Sequence, residues 1–168
     1  MGNARRRVVY GAVTAGLLAG AAGTTALDMV TYLDQALRGR PASVMPQRVA
    51  ERLAGIAGVP LGEGDEAAGR AQGVGGLLGI LTGLAVGAAY GALRTAVPRP
   101  SPLVAAAGLG VAVVLASGGP MTALGLTDPR TWGVAGWLSD LVPHFTYGLV
   151  TAYTFDVITA AGRPGCRP

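Results

Sequence analysis

Apolar residues in this chain fall in long uninterrupted runs, not at the two-residue period of a half-buried strand. Residues 8–27 carry no charge for twenty positions, about 30 Å as a helix, which matches the hydrocarbon core of a bilayer. Residues 73–93 form a second uncharged run, closed by Arg94 and preceded by Asp65 and Glu66, acids that suit a helix N-terminus. A third run starts at Pro102. Gly118-Gly119-Pro120 is expected to stop it, so the third span is placed at residues 102–117. The fourth, residues 141–161, is the least apolar, with Asp140 as its expected N-cap and Pro143 near its first turn.

Two shorter elements complete the pattern. Residues 46–58 place Val49, Leu53 and Ile56 on one side and Arg48, Glu51 and Arg52 on the other, an amphipathic helix within the 28–72 connection. Asp128-Pro129 followed by Trp132 and Trp137 predicts a short helix at the membrane interface before the fourth span. The expected fold is all-α, a single integral membrane domain over residues 1–168: a four-helix bundle with these two helices added.

Composition supports this class. The 168 residues are 51% hydrophobic and only 13% charged, with a mean hydropathy of +0.47, whereas soluble proteins average about 25% charged. All 13 basic residues are arginine, scattered between apolar runs rather than gathered on one face, which argues against nucleic acid as a partner. Without lysine there is no phosphate-binding G-x-x-x-x-G-K-[ST] loop. One histidine and one cysteine, Cys166, leave no HExxH motif, no cysteine-rich zinc site and no disulfide within the chain. Neither a cofactor nor a metal is expected, and no enzyme activity.

Arg5, Arg6 and Arg7 precede the first run, and Ala19-Gly20-Ala21 resembles a signal-peptide cleavage site; the run exceeds a signal h-region, however, and favours an uncleaved span. An even number of spans puts both termini on one side. Arg5, Arg6, Arg7, Arg94, Arg99, Arg163 and Arg167 then outnumber Arg38, Arg40, Arg70 and Arg130 near the span ends, so the termini are expected in the cytoplasm of a bacterial plasma membrane.

Gly75, Gly79, Gly83, Gly87 and Gly91 recur at strict i,i+4 spacing through the second span, a glycine-zipper pattern predicting a helix-packing seam. Gly16, Gly20, Ala106 and Gly110 are its candidate mates, in the same chain or in a second copy or other membrane protein. On the fourth span Asp140, His144, Tyr147, Thr151 and Thr154 fall on one face, with Asp156 opposite. This polar stripe reads as interhelical hydrogen-bond glue. The alternative is a proton or ion path of a small transporter or channel, joined by Asp28, which is expected to pair with His144. No G-x-S-x-G elbow surrounds any serine, so a site built from Ser139, His144 and Asp140 lacks its structural context. Residues 10–15 (YGAVTA) return as 147–152 (YGLVTA) in oppositely directed spans, a short match in a low-complexity chain.

The first span ending Thr24-Thr25-Ala26-Leu27-Asp28, then Arg38-Gly39-Arg40-Pro41-Ala42-Ser43, the glycine-rich second span, Gly119-Pro120-Met121-Thr122 and Thr127-Asp128-Pro129-Arg130-Thr131-Trp132 together resemble small multi-pass proteins of actinobacteria and, more remotely, YagU-type bacterial inner-membrane proteins. The resemblance implies a helical inner-membrane protein with the lipid bilayer as its partner. It implies no functional residue.

Overall fold

The computed structural model describes residues 2–161; Arg163, Cys166 and Arg167 lie outside the described residues. The chain is helical throughout, in the order α1 (Gly2–Arg38), α2 (Met45–Ala57), α3 (Gly64–Leu93), α4 (Pro102–Ala123), a 3₁₀ turn (Pro129–Thr131) and α5 (Val134–Ala161). Three of these helices, α1, α3 and α4, are long and apolar enough to cross a membrane.

α1 packs along α3 on one side and α5 on the other; α5 in turn carries α4, and α2 lies against α3. Local chemistry sets most of the boundaries. Pro46 in the first turn starts α2, and Gly58, at φ +66°, ends it: the Val59 N–H reaches back to the Ala54 carbonyl at 2.9 Å, as in a Schellman cap. Ser101 caps α4 by accepting from the Val104 N–H.

Two expected boundaries are corrected. α4 runs through Gly118-Gly119-Pro120 to Ala123 and ends only where Gly125, at φ +68°, lets Leu126 N–H bond the Met121 carbonyl at 2.9 Å. Pro120 removes one N–H from the ladder, and in apolar surroundings the other backbone groups have no better partners than their own helix. Similarly, α5 begins at Val134, so Asp140 is inside the helix and not its N-cap, and Pro143 is an interior proline. The expected short helix shrinks to the 3₁₀ turn that Asp128 caps and Pro129 starts: Trp132 closes it, Trp137 belongs to α5, and their rings lie 5.2 Å apart.

The interior is built from small residues. Ala15, Ala19, Ala105 and Ala152 are buried with Leu109, Val113, Tyr90 and Phe155; the last two meet edge to face at 5.1 Å. Large apolar side chains such as Leu18, Leu77, Leu81, Val111, Leu115 and Leu149 point outward. Small residues let backbones meet: a Cβ on Gly20 would lie 2.7 Å from the Gly83 carbonyl oxygen, and one on Gly87 would lie 2.7 Å from Gly20 Cα. Gly91 is set against the Ala12 carbonyl in the same way, so α1 and α3 run antiparallel with their main chains in contact over two turns. α4 and α5 repeat the device, with Gly148 facing the Ala106 carbonyl and Gly110 facing His144 and Phe145.

The glycine line of α3 divides by environment. Gly83, Gly87 and Gly91 face α1, and Gly75 faces the backbone of Pro46 in α2. Gly79 is exposed, with open space where a Cβ would stand, so the expected unbroken seam is interrupted there. The reason is geometric: a line at four-residue spacing drifts about 40° per step around a 3.6-residue helix, and no one straight partner can follow five such steps.

Gly87→Ala should lower the stability of the purified protein by about 1–3 kcal/mol, since its methyl meets backbone that cannot rotate away. Gly79→Ala should be neutral or stabilising, by up to about 1 kcal/mol, through helix propensity alone. Unfolding titrations of both variants in one detergent would check the contrast.

Candidate functional site

The polar side chains of α5 split into two groups instead of forming one stripe. Tyr147 and Thr151 turn inward to the junction of α1, α3 and α5, and both are 0% exposed. The Tyr147 hydroxyl donates to the Gly83 carbonyl at 2.6 Å, which ties α5 to α3. Thr24, on α1, comes to the same point: its hydroxyl donates to the Gly20 carbonyl at 2.9 Å and occupies the space a Cβ on Gly83 would need.

Thr151 stands apart from the helix threonines that bond their own backbone. Thr82, Thr122, Thr146 and Thr159 donate to the carbonyl four residues back, the usual solution where no water is at hand. The Thr151 hydroxyl is buried with no hydrogen-bond partner among the described residues and points at the bare Cα of Gly23. Gly23 also receives the Tyr147 ring, whose Cδ2 would stand 2.9 Å from a Cβ added there. Thr154 is half-buried and takes no part in the junction.

The second group faces α4. His144 Nδ1 lies 2.6 Å from the Asp140 carbonyl oxygen, which can only accept, so Nδ1 carries a proton and donates it there. Nε2 is 3.4 Å from the Ser117 hydroxyl, which is also 2.8 Å from the Val113 carbonyl. The Asp140 carboxylate stands 3.6 Å from Nδ1. Sequence reading missed Ser117 because nothing in a helical pattern says which neighbouring helix a histidine will meet. Gly23 was legible in principle, as the third small residue after Gly16 and Gly20.

Asp28 joins neither group. It is half-buried on α1 and belongs to none of the ion pairs among the described residues, so it makes no direct ion pair with His144. The physical cause is facing: His144 is turned toward α4, while α1 packs on α5 through Gly23. Asp156 is paired, at 2.6 Å, with Arg99 in the α3–α4 connection. That hydrogen bond and the attraction between the charges hold the Arg99 guanidinium more firmly protonated than usual. The YGxVTA repeat has no structural counterpart, since Tyr10 is 63% exposed where Tyr147 is sealed.

Two surface hollows lie away from all these groups. One is lined by Thr122, Thr127, Asp128 and Arg130, the other by Gln47, Glu51 and Ala68 between α2 and α3. Among the described residues, no three histidine, cysteine or acidic side chains gather as metal ligands. Comparison with protein-family models, with curated proteins and with solved structures finds no match.

Tyr147→Phe should cost about 0.6 kcal/mol and at most about 1.7, the range for hydrogen bonds between membrane helices. Thr151→Val, nearly isosteric and lacking the unpartnered hydroxyl, should leave stability unchanged or slightly raised. Chemical unfolding of the two variants beside the parent protein would separate them.

Proposed function

We propose that this chain is a multi-pass inner-membrane protein with a structural or interaction role, whose four spans, α1, α3, α4 and α5, pack through small residues. One observation carries the membrane reading: the interior is rich in alanine and glycine, while large apolar side chains from every long helix are exposed. In water such a surface would far exceed the apolar patches soluble monomers tolerate. In hydrocarbon it costs nothing, and close backbone contact becomes the attraction between helices. On this reading α5 spans the bilayer although its polar groups make it less apolar than the others, because Tyr147 and Thr151 are turned inward.

The arginine-rich ends of α1 and α3 lie on the cytoplasmic side under this reading, and α2 rests at the outer surface. There Leu53 and Ile56, 40% and 63% exposed, face lipid while Ala50 and Pro46 meet α3. The sequence resemblance to actinobacterial and YagU-type inner-membrane proteins points the same way. The polar groups of α5 act as glue: His144 holds α4, and Tyr147 holds α3. Neither hollow is lined by Asp28, Asp140, His144, Tyr147 or Thr151, which favours this role over a proton or ion path.

Reporter fusions after Glu63 and after Pro168 should report opposite sides of the membrane; finding both on one side would remove the four-span topology. Liposomes containing the purified protein and a pH dye should leak protons no faster than empty ones. A proton flux abolished by His144→Gln would instead establish transport.

A further inference from the structure

The two ends of the helix assembly treat their charges differently. At the end holding the C-terminus of α1, three arginines pair with carboxylates of the chain: Arg38 bonds Asp34 at 3.2 Å, Arg40 bonds the same Asp34, and Arg70 bonds Glu66, while Arg48, Arg52 and Arg130 are in no ion pair among the described residues. At the opposite end the only carboxylate among the described residues is Asp156, and Arg99 occupies it. Arg5, Arg6 and Arg7 are exposed there, and no ion pair among the described residues includes them.

Arg94 joins them through the antiparallel register. Gly91 stands against Ala12 and Gly16, so Arg94, three residues on, comes level with α1 within about one helical turn, roughly 5 Å of rise, of Arg7. Arg94 is half-exposed, with one guanidinium nitrogen on the Val97 carbonyl at 3.1 Å.

The placement on α1 is unfavourable in isolation. Three cations lie in the first two turns, where the helix dipole is already positive, and the first turn has no acid to offset them. Cationic side chains and unbonded N–H groups at a helix start both favour an anion. Immediately beyond, Val8 and Tyr10 are 62% and 63% exposed, so the lipid-facing surface begins one residue after Arg7. On the membrane reading above, on which this inference rests, the guanidinium groups then lie at the depth of the lipid phosphates.

We propose that Arg5, Arg6, Arg7 and Arg94 form a docking surface for the headgroups of anionic phospholipids. The lipid supplies the carboxylate-like partner that the chain provides at its other end, and arginine's planar fork suits a phosphate with two parallel hydrogen bonds. The surface selects headgroup charge, not acyl chain, because every group in it lies beyond the apolar run.

The test uses the full chain, purified in a mild detergent and titrated with phosphatidylglycerol or with phosphatidylcholine of the same acyl chains, binding being read as a rise in the thermal unfolding midpoint. Phosphatidylglycerol should bind in preference, and raised salt should weaken it. The Arg5→Gln/Arg6→Gln/Arg7→Gln variant should bind on the order of 100-fold more weakly, at about 5-fold per arginine near an anionic surface. Arg130→Gln, exposed at the opposite end, should bind as the parent does. Equal response to the two lipids, or a triple variant that keeps the preference, would overturn the proposal. So would inorganic phosphate reproducing the shift without lipid, which would make this a free-anion site. A chain that enters neither bilayers nor lipid micelles would instead sink the membrane reading itself.

Discussion

The main-chain contact between α1 and α3 is the constraint on which the remaining architecture depends. Gly16 and Gly20 meet Gly83, Gly87 and Gly91 with no side chains between them, so this separation is fixed by the backbones themselves. Everything at the junction is scaled to it. Thr24 fits into the space left at Gly83, which any larger residue there would take, and beside it the Tyr147 hydroxyl reaches the Gly83 carbonyl. A side chain on either helix at the crossing would open the gap, and the tyrosine bond would be lost together with the packing.

The interior consequently has an unusual chemistry. Its bulkiest fully buried side chains are Tyr147 and Thr151, both hydroxyl-bearing, in surroundings of alanine and glycine. A tyrosine delivers ring area for packing and one directional bond, so it sets the rotation of α5 about its own axis as well as its distance. That rotation sends His144 to α4 and leaves Asp28 without it. The two polar groups of α5 are thus one consequence of how a single tyrosine seats.

Much of the fold was legible in the apolar runs because each run is bounded by charge. The starts of α2 and α4, Pro46 and Ser101-Pro102, and the end of α2 at Gly58 follow from residues whose backbone chemistry is local. The failures share a cause. Pro120 and Pro143 were read as boundaries by a local rule, yet both stand inside helices, where the single N–H each removes does not end the ladder. The glycine repeat was visible, but which of its members meet a partner depends on the crossing angle, which spacing does not encode. The polar stripe failed likewise: residues within about 40° of one line can still face two different neighbours when a helix is wedged between them.

α5 occupies the position between α1 and α4, and α4 has little other support. The helix that must be in place before α4 can dock is therefore one that follows it in the chain. Until residues 134–161 have taken their place, Ala106 and Gly110 of α4 have no helix to face, and Ser117 has no histidine to meet. Assembly cannot be completed in the order of synthesis: α1 and α3 can close as a pair while the chain is still emerging, but α4 waits for α5. A chain cut ahead of Val134 would keep both faces of the α1–α3 pair and leave α4 without the helix it packs on.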